Sequence, residues 1–362
     1  MQLCPLVTVH SRIRTPLDIM KNPLLLAAVV LGFATTNQSI AEVLDGPNGP
    51  VEFIGLESWT PTELFEAIKE QDPDRPFHAC AAVMKASLEF PDAAAFLYMV
   101  DDEDWSKGYY TVVIGVEDNA TVSYRTPGSE ELELPESWKK LQAVAEEDFV
   151  TVNTLLYVSL IYADEGEPEK LPERAVNFGA NSENIEKVSK AFEGMREEMD
   201  HELALEVLAR DKSWSSRLVA TIVLGHYPED DRSWHGIADS LIDSAQQVRD
   251  IAGKLIFSLT QSEIEVPVDW AGARETLLAL FGGTYPFAFL STLDALIATK
   301  IDPAFGLELA QERPSLLLAH VGAEHAKTRE AALAFLTTVS EEDFGNDVDA
   351  WSTWIKQVDL DQ

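Results

Sequence analysis

The spacing of apolar residues changes character about halfway along the chain. From about Ile185 onward strand signals nearly vanish and helical ones recur. Val248, Ile251, Ala252, Leu255, Ile256 and Leu259 fall at i, i+3, i+4, i+7, i+8 and i+11, one stripe down a helix. Moved back by 32 residues, the template lands on Ser216, Val219, Ala220, Val223, Leu224 and Tyr227. Moved forward by 41 it gives a weaker set, Phe289, Thr292, Leu293, Leu296, Ile297 and Lys300, and by 80 it gives Thr328, Ala331, Ala332, Phe335, Leu336 and Val339. Four copies at this spacing predict stacked helix pairs, in which no pair buries its face alone.

The first helix of each pair is also visible. Leu203, Ala204, Val207 and Leu208 precede the first copy, Trp234, Ile237, Ala238, Leu241 and Ile242 the second, and Trp270, Ala273, Leu277 and Phe281 the third. Breakers fall between helices at Pro228, Pro267, Gly282-Gly283 with Pro286, and Pro314.

Upstream the signals mix. A helix is expected from about Pro61 behind a Thr60 or Thr62 cap, and another over His78–Leu88. Tyr109–Val116 (YYTVVIGV) and Thr121–Arg125 (TVSYR) are β-branched and aromatic around a short loop, which predicts a β-hairpin. The unbroken apolar run from Val150 to Ala163 reads equally as a buried strand pair or a helix. A small α+β domain over residues 50–175 results, with an acidic connection over 164–174 leading to helices over 185–357.

The second helices carry Arg217-Leu-Val-Ala220, Arg249-Asp-Ile-Ala252 and Arg329-Glu-Ala-Ala332. This resembles HEAT-like repeats of the phycobilisome-lyase type, whose inner helix bears V-R-x-x-A-x-x-x-L; the third copy departs from the pattern, with Phe289 in place of arginine. The tail, Phe344-Gly-Asn-Asp347 followed by Ala350-Trp351-Ser-Thr-Trp354, resembles the FGxD…AWxxW segment that closes many bacterial HEAT proteins. The resemblance covers roughly residues 200–357 and implies an all-α superhelical HEAT-like solenoid, a right-handed stack of about four pairs; with the upstream reading, the expected fold is an α+β N-terminal domain followed by that solenoid. The alanines let neighbouring helices approach, and each arginine is expected to bridge adjacent turns or an acid in the next repeat. Trp351 and Trp354 are expected to cap the stack. Lyase activity does not come with the repeat, which is far more widespread than the lyases.

Residues 1–41 read as a leader. Met20-Lys21-Asn22 precede an apolar run, Pro23 to Phe33, that is too short for a membrane span, and Ser39-Ile40-Ala41 offers small residues for cleavage before Glu42. A periplasmic or secreted protein without stable membrane insertion is expected, with Met1 or Met20 as its start. The chain carries 62 acidic against 27 basic residues, a net charge of -35. Loss of Arg12, Arg14, Lys21 and Asp18 with the leader makes the balance 61 against 24. Such a surface repels phosphate backbones, so nucleic acid is excluded and a basic protein partner is favoured.

Candidate chemistry is sparse. Cys80 becomes the lone cysteine of the mature chain and reads as a buried structural thiol rather than a nucleophile served by His78. His226 and His235 flank acids without a metal-binding spacing, and the acids at Asp101–Asp104 and Asp343–Asp349 lack the full Ca²⁺-loop pattern. No phosphate, dinucleotide or hydrolase motif is present, and no cofactor is expected. The expected function is protein binding or scaffolding without catalysis. The alternative is an enzyme whose site lies between the α+β domain and the first repeat, using His78, His201 or Asp200.

Overall fold

Alternation along one strand sets the frame of the N-terminal half. In Tyr109–Val116 (β4), Val112 and Ile114 point to one side and Val113 to the other, and all three are fully buried, so β4 has an apolar layer on both faces. It is also interior along the hydrogen-bonding direction. The sheet runs Val43–Gly46 (β1), Gly49–Ile54 (β2), β4 and Asp92–Met99 (β3), with β2 parallel and β3 antiparallel to β4. This corrects the expected hairpin. Both edges of β4 are taken, and Thr121–Arg125 is not a strand of the sheet but a connection whose Ser123 and Arg125 N–H groups are spent elsewhere.

The computed structural model describes residues 42–73, 76–100, 108–162, 167–261 and 266–358. The leader, Asp101–Asp104 and part of the acidic connection therefore lie outside the described residues.

On one face of the sheet, Val51, Phe53, Ala93 and Val113 pack with Pro61–Gln71 (α1) and Cys80–Ser87 (α2). Thr60 caps α1: its hydroxyl accepts from Glu63 N while Glu63 reaches back to Thr60 N, a reciprocal capping box. On the other face Ile54, Ala94, Val112 and Ile114 join one apolar cluster that runs on through the helices to Ile355. Glu136–Glu147 (α3) and Phe149–Ile161 (α4) belong to that cluster through Trp138, Leu141, Val152 and Leu155. The ambiguous run is thus a helix, Asp148 capping it at Thr151 N. The core does not break between the sheet and the helices that follow.

Leu171–Asn177 (α5) and Ile185–Met195 (α6) lead into ten further helices: His201–Arg210 (α7), Trp214–Leu224 (α8), Asp231–Leu241 (α9), Gln246–Gln261 (α10), Arg274–Phe281 (α11), Phe289–Ala298 (α12), Pro303–Glu312 (α13), Pro314–Val321 (α14), Ala326–Ser340 (α15) and Val348–Gln357 (α16). Four carry the template stripe: α8 packs on α10, α10 on α12 and α12 on α15. In α10 the buried residues are the six template positions and no others, and the same holds for α15. On the other side α7 packs on α8 and α9, α9 on α10 and α11, and α11 on α13 and α14. Pro314 separates α13 from α14, and α16 closes over both. Aspartate side chains cap α7, α9, α13 and α16 at their N-termini, which gives part of the acidic composition a structural role. No single helix among the described residues is long and apolar enough to cross a membrane.

Candidate functional site

The three template arginines make one bond in common. Arg217, Arg249 and Arg329 each donate through a terminal nitrogen to the carbonyl six residues back, on Asp211, Asp243 and Ala323. Each thereby clamps the turn that enters its own helix. Arg217 also reaches the next copy: Nε and a terminal nitrogen bind both oxygens of Asp243 at 2.7 and 2.8 Å, with both residues essentially fully buried. Arg249 meets no carboxylate at the corresponding place, because the equivalent of Asp243 one copy on is Thr284. Its guanidinium instead lies over the rings of Tyr124, at 4.5 Å, and Tyr285, at 5.3 Å. In the third copy the 41-residue offset places Leu290, one beyond Phe289, at the arginine position. Ala220, Ala252 and Ala332 are fully buried between neighbouring helices. Trp351 is fully buried beside Phe344 and donates to Gly345 O, with the half-exposed Trp354 edge-on to it.

The catalytic candidates do not come together. His78 hydrogen-bonds Tyr109 at 3.2 Å, on the sheet. His201 bonds Ser233 at 2.9 Å and packs on Tyr227, and Asp200 caps α7. Cys80 lies in the small core beneath the sheet, where burial pushes its thiol up to about 12, far from a reactive thiolate. His226 is held down by burial, and His235 binds the Asp269 carbonyl. Among the described residues no group of three His, Cys, Asp or Glu is placed to hold a metal. Asp343 and Asp347 accept backbone N–H groups as turn and helix caps.

The most elaborate polar assembly lies where the N-terminal half meets the turns before α8, α10, α12 and α15. At the first, Glu130 N donates to Arg210 O, Lys212 N to Glu130 O, and Leu132 N to an Asp211 oxygen at 2.9 Å. At the second, Arg125 N donates to Ile242 O while its guanidinium faces Asp243 at 3.5 Å. At the third, Ser123 N donates to Thr284 Oγ1 at 2.8 Å and Tyr285 N to the buried Asp92 at 2.9 Å. At the fourth, Glu324 N and His325 N both donate to the buried Glu52, and the His325 ring stacks on Tyr98 at 4.0 Å between centroids. Asp92 also accepts from Tyr124, and Glu52 from Tyr110, so neither buried carboxylate is left short of donors.

These groups were not singled out by sequence reasoning. For Asp211 and Asp243 a signal existed: each stands six residues before a template arginine, repeating at the same 32-residue offset. For Glu52 and Asp92 none existed, since local patterning does not distinguish a carboxylate that will meet a distant turn.

No family model, curated protein or solved structure matches the chain.

Proposed function

We propose that α7–α16 form a HEAT-like repeat array and that the protein is a non-catalytic interaction module of the periplasm or outside the cell. The observation that carries the array is the shared bond of Arg217, Arg249 and Arg329 at positions offset by 32 and 80 residues: equal positions in the sequence make equal contacts in space. Repeat arrays act through long continuous faces rather than deep pockets. Here the face of the first two inner helices is already filled, since α3 packs on α8 and α4 on α10, and every residue from Ser215 to Leu224 is buried. Among the described residues the uncovered stretch is the face of α12 and α15, with exposed Asp294, Glu330 and Thr337 and the half-exposed ring of Phe287, one side of which stacks on Phe96. Its acids and the net charge of -35 favour a basic protein partner.

Native capture from the host at low and raised salt tests this reading. Salt-sensitive capture of one basic protein, lost in a folded double variant with Asp294→Lys and Glu330→Lys, is the expected result. Capture unchanged by the reversal removes the face. Export is tested by the mass of the mature N-terminus, expected at Glu42; an intact Met1 or Met20 in the host refutes it.

A further inference from the structure

Asp211, Asp243, Thr284 and Ala323 occupy one template position, six residues before Arg217, Arg249, Leu290 and Arg329. The first three of these side chains each meet the connection between β4 and α3, and they meet it in reverse chain order: Leu132 at Asp211, Arg125 at Asp243, Ser123 at Thr284. One position further on, the backbone N–H of Lys212, Tyr285 and Glu324 is donated to Glu130, Asp92 and Glu52 respectively. One position earlier than the aspartates, the carbonyls of Arg210 and Ile242 accept from Glu130 N and Arg125 N, which produces a short parallel bridge at each turn. Equivalent backbone groups are thus bound at the first and second turns through their carbonyls and at the first, third and fourth through their N–H groups, by one segment and two buried carboxylates of the sheet. The approach is close enough to dictate sequence: a Cβ on Gly128 would lie 1.9 Å from the Arg210 carbonyl oxygen.

We infer that residues 121–132, with Glu52 and Asp92, form a built-in splint that occupies the row of four turns and couples all of the repeats to one another and to the sheet. The inference rests on the repeat-array reading. In an ordinary array each repeat touches only its neighbours, so stability is a nearest-neighbour sum and the stack flexes and frays repeat by repeat. A segment bound to the first, second and third turns, and continuous through the sheet with the fourth, adds couplings between repeats that do not touch. Extended-chain pairing supplies the binding, as in strand addition, and the reading of one turn per few residues fixes the spacing of the helix pairs. The array is therefore held at one curvature, and a partner on the α12–α15 face meets a rigid surface with its ordering cost already met.

Hydrogen exchange on the full-length chain, resolved at the four turns, tests the splint with Thr284→Val, Arg125→Ala and Gly128→Ala. Thr284→Val removes one acceptor at nearly constant volume and serves as the variant certain to keep the core filled. The expected result is that each single change accelerates exchange by about tenfold at all four turns together, with helix content unchanged. Acceleration confined to the altered turn and its immediate neighbour overturns the splint while leaving the array intact, because that is how an unsplinted array responds. Failure of the array itself reads differently: a chain truncated after Gln311 would stay as soluble and cooperative as the whole.

Discussion

Helices α8 and α15 are built on the same template and end in different surroundings. Along α8 every position from Ser215 to Leu224 is buried, under α3 on one side and α7, α9 and α10 on the others. Along α15 only the stripe is buried, and Lys327, Glu330, Ala334 and Thr337 face outward. Their arginines differ in the same way. Arg217 is sealed in and paired with Asp243, whereas Arg329 is partly exposed and, among the described residues, bonds the carbonyls of Ala323 and Glu324. Periodicity decides which side of a helix faces its neighbours. What the remaining chain lays over the other side decides whether a charge must be neutralised or stays hydrated.

The largest effect is expected where that difference is greatest. Arg217→Ala leaves the buried Asp243 with the Ala245 N–H and the Arg125 guanidinium at 3.5 Å, and breaking a buried pair by removing one partner costs about 3–5 kcal/mol. Arg329→Ala gives up bonds that water can replace, so about 1 kcal/mol is expected. Urea unfolding of the two variants measures both. Equal losses would mean that burial of the pair is not what separates the two ends.

His320 sharpens the comparison from inside the second region. It is fully buried on α14, its Nδ1 2.8 Å from the Leu316 carbonyl and its ring against Phe289, and burial pushes the imidazole down to about 4. Burial outweighs the hydrogen bond from Nδ1–H, which by itself favours the charged ring, so the neutral ring is the folded form. The unfolded chain takes up the proton near pH 6.5 and the folded one does not until about 4. Stability is therefore full above pH 6.5 and falls as pH drops through that window, by about 1.4 kcal/mol per unit and on the order of 3 kcal/mol in all. His320→Leu should flatten the stability curve between pH 6.5 and 4. An unchanged slope would assign acid sensitivity to the carboxylates.

The two regions also differed in how far they could be read in advance. The helix stripes were legible because each helix buries its stripe against helices near it in the sequence, so the period itself carries the contacts. The two buried sets in α10 and α15 match the template residue for residue. In the sheet only β4 was legible, from its β-branched run. Strand β3, DAAAFLYM, has weak intrinsic strand preference and is extended because it pairs with β4 from Asp92 opposite Val116 to Met99 opposite Tyr109. Strands β1 and β2 meet at a Gly- and Pro-rich turn whose composition reads as linker. Thr121–Arg125 has strand composition, but the backbone N–H groups of Ser123 and Arg125 are spent on Thr284 and Ile242, distant turns that no local pattern encodes.

The smallest effect probes whether the sheet and helices α7–α16, the proposed array, open together. Thr60→Ala removes the reciprocal cap of α1 and should cost about 1 kcal/mol. The change is readable through Cys80, buried between α2 and the sheet with its thiol pushed up to about 12, so that a thiol reagent at pH 8 labels it only when that core opens. A loss of 1 kcal/mol raises the open fraction, and with it the labelling rate under fast reclosing, about fivefold. Thr60→Ala should do this whether the sheet opens alone or with the array. Arg217→Ala distinguishes the two cases. If the sheet opens alone, a change in α8 leaves Cys80 labelling where it was. If the turns are splinted to the sheet, labelling rises with the full loss of stability at Arg217, although among the described residues no hydrogen bond or ring contact joins Arg217 to the small core around Cys80.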